Sequence, residues 1–111
     1  MNIIFKIGFI VFIAVLFQTS TFSKESFFND ALKLYENKKY EDARFLFERN
    51  IVFNPKDANS YLYLAKIYNF EEDQRKEEYN LETALLIEPN NEEALLMLMK
   101  IYYLILILIK K

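Results

Sequence analysis

The sequence predicts an all-helical protein, and three observations support this fold class. Its 111 residues include one glycine and two prolines, so the turn residues that a sheet protein of this size needs are almost absent. Hydrophobic residues make up 53% of the chain and charged residues 27%, a balance typical of a folded domain. Pro55 and Pro89 each follow a similar apolar segment, and Pro89 is 34 positions after Pro55. A repeat of helices is therefore the first hypothesis to test.

Residues 1–23 have the organisation of a signal peptide. Lys6 supplies one positive charge, residues 7–17 form an unbroken apolar run, and residues 18–23 are mostly small and polar. The apolar run is well short of the roughly 20 residues that a membrane-spanning helix needs. We expect cleavage after Ser23 and export, to the periplasm or out of the cell. An uncleaved N-terminal membrane anchor is the alternative.

Five helices are predicted after this segment, each from local signals at its ends. Asp57 is a natural N-cap for the third, and Asn90 with Glu93 forms a capping-box-like pair before the fifth. Asn37 is expected to adopt the left-handed conformation that ends the first, since the chain has no glycine there. The predicted helices cover residues 26–36, 40–53, 58–70, 74–88 and 92–109.

Residues of matching size recur in two units, 24–57 and 58–91, and a third unit begins at residue 92. Small residues recur where paired helices would approach closely, and large aromatic residues recur where they would fill the space between helices. The residues that carry this pattern, and that the family resemblance described next assigns to the repeat core, are Phe27, Ala31, Leu34, Ala43, Phe47 and Pro55 in the first unit, and Tyr61, Leu64, Ala65, Tyr68, Leu81 and Pro89 in the second.

This pattern resembles the tetratricopeptide-repeat family, whose units are about 34 residues long and close with a proline. The resemblance covers nearly all of residues 24–103, and it divides residues 24–111 into two complete repeats and the first helix of an incomplete third with an apolar tail. It implies antiparallel helix-turn-helix repeats stacked as a short right-handed α-solenoid. Two positions depart from the family pattern: Asp30 stands where Leu is expected, and Glu77 stands where a small residue is expected.

The resemblance also implies a groove, lined by the first helix of each unit, that binds a segment or helix of a partner protein. Family members that bind a terminal carboxylate have Lys and Asn where this chain has Phe28 and Leu32, so such a clamp is not expected. The mostly apolar set predicts a hydrophobic peptide edge, with Lys66 and Lys100 contacting carbonyls or acids. The implied groove residues are Phe28, Leu32, Tyr35, Leu62, Lys66, Asn69, Leu96, Lys100 and Tyr103.

Composition argues against an enzyme, a cofactor or a metal site. The chain has no Cys and no His, which removes thiol nucleophiles, the imidazole base and the usual zinc ligands. Gly8 is its one glycine, so the loops that approach phosphate groups closely cannot be built. A net charge of −2 does not suggest nucleic acid. The nine acids of residues 71–93 are interpreted as a solvated helix face with its flanking turns.

The apolar run at residues 104–109 is unexpected, because repeat arrays normally end in a helix with a polar outer face. The sequence leaves more than one candidate for what covers this run. A membrane that contacts residues 1–17 or 104–109 is one alternative, and a second copy that pairs through the C-terminal helix is another. We expect a non-enzymatic scaffold that binds another protein after export. The alternatives are a membrane-associated structural protein and a truncated repeat protein without retained activity.

Overall fold

The structure, a computed structural model, describes the backbone of residues 2–18 and 26–111 and the side chains of residues 2–12 and 27–111. Within these residues the chain is all-helical, which confirms the predicted class. The five predicted helices are present, with ends that differ by at most one residue from the prediction. The helices are α1 (Asn2–Gln18), α2 (Ser26–Glu36), α3 (Tyr40–Phe53), α4 (Ala58–Phe70), α5 (Gln74–Ile87) and α6 (Glu92–Lys110).

From α2 onward, each helix packs mainly on the next helix in the chain. The apolar core consists of two clusters, and α4 contributes to both. Buried alanines allow the close approach of helices in each cluster. The first cluster contains Ala31, Ala43, Phe47, Leu64, Ile67 and Tyr68. The second contains Leu62, Ala65, Leu81, Ala84, Ala94 and Ile101.

Most of the predicted core residues are buried or partly buried, but the two prolines are not. Phe27 stacks on Phe53 with ring centroids 5.7 Å apart. Pro55 and Pro89 lie exposed in the turns that follow α3 and α5. The prediction that they belong to the core is therefore wrong. Their rings restrict the backbone after each helix and do not fill space between helices.

The ends of α2 and α4 have the same hydrogen-bond pattern. Lys38 and Glu72, which are 34 positions apart, have positive φ angles of 61° and 60°. Lys38 N–H donates to the Tyr35 carbonyl and the next N–H donates to the Leu34 carbonyl, which is a Schellman motif. The two equivalent bonds recur 34 positions later, around Glu72 at the end of α4. The prediction that Asn37 adopts the left-handed conformation is wrong by one position, because the motif places that conformation one residue later.

The same spacing holds at the second helix of each pair. The Asn54 N–H donates to the Asn50 carbonyl, and the Glu88 N–H donates to the Ala84 carbonyl. The turns after these helices close with a bond from Asp57 to Asn54 and, at the equivalent positions of the next unit, a bond from Asn91 to Glu88. Backbone geometry therefore repeats with the period of the sequence.

Side chains at these turns differ between the two units. Asp57 precedes α4, as predicted, but its carboxylate makes no capping bond. The carboxylate accepts hydrogen bonds from the buried Asn50 amide, at 3.0 Å, and the Ser60 hydroxyl, at 2.6 Å. Before α6 the side chain of Asn91 caps the helix, accepting from the Ala94 N–H at 3.0 Å. The predicted pair of Asn90 and Glu93 is therefore wrong.

Helix α1 lies in the segment predicted as a signal peptide. Its described side chains, in residues 2–12, are exposed. The predicted cleavage point after Ser23 lies outside the described residues. None of the helices described in residues 2–18 and 26–110 combines the length and the apolar character needed to cross a membrane.

Candidate partner-binding surface

The nine predicted groove residues lie on α2, α4 and α6, and we call them the groove surface. Phe28, Leu32, Tyr35 and Lys66 are half-buried. Leu62 is 5% exposed and belongs to the second core cluster, so its assignment to an open groove is wrong. The remaining members are exposed: Asn69, Leu96, Lys100 and Tyr103.

Aromatic side chains fill the part of the groove surface between α2 and α4. Tyr63 stacks on Phe47 from α3, with ring centroids 5.3 Å apart and planes 7° apart. Phe28 and Tyr35 approach Tyr63 edge-on at 6.1 Å and 5.0 Å. Such edge-to-face contacts fix ring orientation. The central role of Tyr63 was missed from the sequence, although it lies three residues before Lys66 and hence on the same side of α4.

Lys66 lies at the centre of the groove surface, and its charge is already matched. Its Nζ is 2.6 Å from Oε1 of Glu93 on α6 and 4.7 Å from the centre of the Tyr63 ring. The expectation that Lys66 contacts acids of a partner therefore needs revision, because a partner meets the Lys66–Glu93 ion pair. Glu93 was predicted only as a capping residue, and in the structure it links α4 to α6.

A cleft of about 290 Å³ with both polar and apolar side chains in its lining lies beside α6. Within it, the Asn69 amide donates to Oε1 of Glu77 at 3.1 Å. Glu77 is 5% exposed, although the resemblance implied a small residue at this position. Burial raises the pKa of the Glu77 carboxyl, and the Asn69 hydrogen bond and the Lys100 charge oppose that rise. The cleft is lined by Asn69, Glu72, Gln74, Glu77, Met97, Lys100, Ile101 and Leu104.

Replacing Glu77 by Gln is expected to stabilise the protein more at neutral pH than in acid. Because the pKa is raised in the folded state, the folded protein holds the proton more tightly than the unfolded chain does. Stability is therefore lost as pH rises above the ordinary value of 4.5. Glutamine removes the charge, so we expect the variant to be more stable than the parent protein at pH 7 and close to it below pH 4.5.

Thermal unfolding of both proteins at pH 7 and below pH 4.5 measures this difference. Glu36→Gln, at an exposed position, serves as the control and should change stability by no more than about 0.5 kcal/mol at either pH. An equal gain from Glu77→Gln at both pH values would contradict the assignment of a burial penalty to its charge.

On α6 the exposed side is almost continuously apolar. Ala94 and Ile101 are buried on one side of the helix, and Tyr102 donates to Oε1 of Glu82 on α5 at 3.1 Å. On the opposite side, and all around its C-terminal end, large side chains are exposed. They are Leu95, Leu96, Met99, Tyr103, Leu104, Leu106, Ile107, Leu108 and Ile109.

The groove surface and the residues next to it thus form an aromatic patch, an ion pair, a partly polar cleft and an exposed apolar helix side. Within residues 2–18 and 26–111, no group of three or more acidic side chains is placed to hold a metal ion. No family model matches the sequence, and no curated protein matches it.

Proposed function

We propose that this chain is a non-enzymatic interaction module of the tetratricopeptide-repeat type, stacked as a short right-handed α-solenoid. The recurrence of the helix-end hydrogen bonds at a spacing of 34 positions carries the proposal. Lys38 and Glu72 supply its clearest instance, because two non-glycine residues adopt the same left-handed conformation one repeat apart. Buried alanines at the predicted close approaches give further support: Ala31, Ala43 and Ala65.

The groove surface is proposed to bind an extended segment or a helix of a partner protein. Contacts between Phe28 and Tyr63 join α2 to α4, and the Lys66–Glu93 pair joins α4 to α6. These contacts support a continuous row of three helices. A partner suited to this row has apolar side chains that contact the aromatic patch and Leu96, and polar groups that face the ion pair and the cleft.

Export is part of the proposal and rests on the charge and apolar run of residues 1–23. Exposed apolar side chains on α1 and α6 favour a second candidate, a membrane-associated structural protein. Cell fractionation separates the two: a chain shortened at its N-terminus in the exported fraction supports the module, and a chain that resists carbonate extraction supports membrane association. A truncated repeat protein without retained activity would bind no partner in the experiment that follows.

Photo-crosslinking from single positions tests groove binding. A photoreactive phenylalanine analogue replaces Tyr35 on α2 or Asn69 on α4, both in the groove surface. Phe45 on α3 and Leu86 on α5, which are 61% and 84% exposed, provide matched control positions outside it. We expect one discrete adduct from both groove positions and none from the controls. Adducts from all four positions, or from the controls alone, would contradict the proposal.

A further inference from the structure

We propose that α6 pairs with α6 of a second copy of this chain in an antiparallel arrangement, with the twofold axis level with position 101, on the side of α6 away from the buried Ile101. The proposal goes beyond groove binding and does not depend on it, but Leu96 and Tyr103 belong to both surfaces, so a second copy and a groove partner exclude each other at these two residues. It rests on the exposed side of α6, where six residues form a stripe opposite the face that packs on α5. The stripe consists of Glu92, Leu96, Met99, Tyr103, Leu106 and Lys110.

The spacing of the stripe matches that of a helix that packs along another helix. Successive members are separated by 4, 3, 4, 3 and 4 positions, which is the heptad spacing of a paired helix seam. Leu96, Met99, Tyr103 and Leu106 are 66%, 63%, 65% and 57% exposed, so the four apolar members are available to a partner. The charged members, one acidic and one basic, lie at the two ends.

The stripe is complementary to itself only when the second helix runs in the opposite direction. The residue numbers are symmetric about position 101, so an antiparallel copy places Leu96 opposite Leu106 and Met99 opposite Tyr103. Glu92 then faces Lys110 at both ends of the pair. A parallel copy would instead place like charges together, which is unfavourable. The charges therefore select a second copy in one direction.

The other acidic residue in the first turn of α6 does not compete for Lys110. Glu93 is bound to Lys66 within its own chain, whereas Glu92 and Lys110 form no ion pair among residues 26–111. Met99 opposite Tyr103 adds a thioether-aromatic contact that the twofold axis repeats. An isologous contact of this kind closes after two copies and does not extend into a filament.

Disulfide cross-linking tests the direction and register of the pair. The chain has no cysteine, so single Cys variants of the full chain give an unambiguous signal. We expect a cross-link between one copy carrying Leu96→Cys and another carrying Leu106→Cys. Two copies of Leu96→Cys should not cross-link, because the stretch of helix from position 96 to position 106 separates the cysteines by about 15 Å along the axis. A disulfide needs Cα atoms within about 7 Å.

Co-expression of two differently tagged full-length chains, followed by mild oxidation, provides the measurement. Leu86→Cys, on α5 and outside the stripe, is the matched control and should give no cross-link. Cross-linking between two Leu96→Cys copies would show a parallel arrangement and overturn the proposal. Equal cross-linking of every pair, including the Leu86→Cys control, would also overturn the proposal. It would indicate unspecific contact, which is the result expected if lipid covers the stripe.

Charge reversal provides a second test that leaves the apolar residues unchanged. Glu92→Lys should lower the yield of the Leu96–Leu106 cross-link about tenfold, since twofold symmetry turns two attractions into two repulsions. The double variant Glu92→Lys with Lys110→Glu should restore it. An unchanged yield in the single variant would overturn the register. Because Tyr35 and Asn69 are not on α6, photo-crosslinking from them still reports groove binding if this pairing fails.

Discussion

Replacing Phe47 by Ala is expected to lower the free energy of unfolding by about 3–5 kcal/mol. Phe47 is fully buried on α3, where its ring stacks on Tyr63 and meets the edge of Phe28 at 5.7 Å. Truncation removes the contacts between three helices and leaves a cavity that the neighbouring rings cannot fill without changing helix positions. Chemical denaturation followed by circular dichroism measures the change.

Phe45→Ala is the matched control, because Phe45 is the same residue type on the same helix and is 61% exposed. The control should shift stability by no more than about 0.5 kcal/mol. Similar losses for the two variants would mean that the inner and outer sides of α3 are assigned incorrectly. Such a result would also undermine the alignment of the two units.

Replacing Asn50 by Ala is expected to cost about 1–3 kcal/mol. The buried Asn50 amide donates to the Asp57 carboxylate at 3.0 Å and to the Ser60 hydroxyl at 2.9 Å. Alanine removes both hydrogen bonds and leaves the Ser60 oxygen buried and the Asp57 carboxylate half-buried. Thermal and denaturant unfolding of the variant give the loss.

The equivalent turn between α5 and α6 supplies the control for this prediction. The equivalents of Asn50, Asp57 and Ser60 in the next unit are Ala84, Asn91 and Ala94, and there the Asn91 side chain caps the helix. The triple variant Asn50→Ala, Asp57→Asn and Ser60→Ala copies that turn. It should recover most of the stability, because no acceptor is left without its donor and the new Asn can cap α4. Additive losses from the three changes would show that the two turns are not equivalent.

The helices could be predicted because each one is bounded by short-range signals. Asp57 and the two prolines mark ends that depend on a few neighbouring residues. The left-handed residue after α2 was misplaced because residue type favoured Asn37, whereas the Schellman bonds require that conformation at Lys38. Backbone hydrogen bonding outweighed the preference of the side chain at this position.

The candidate surface was harder to predict because it depends on contacts between helices. A family pattern indicates which side of a helix faces the groove, but it does not show how deeply a residue lies there. Leu62, which the pattern assigned to the groove, is buried in the structure for this reason. The Lys66–Glu93 pair joins residues on two helices that are distant in the sequence, so no spacing within one helix could reveal it. Glu77 was recognised from the sequence as a departure from the family pattern. Its hydrogen bond with Asn69 could not be predicted, because it depends on the relative positions of α4 and α5.

Packing between successive helices also has a consequence for how this chain folds. Because the main packed pairs α2–α3, α3–α4, α4–α5 and α5–α6 join sequence neighbours, the chain closes only short loops as it forms its core. Low contact order of this kind is associated with folding in microseconds to milliseconds. Opening can also begin at one end without breaking the other cluster, since α2 and α6 belong to different ones. Amide hydrogen exchange should accordingly be slowest in α4, the helix shared by both clusters, and faster toward the C-terminal end of α6.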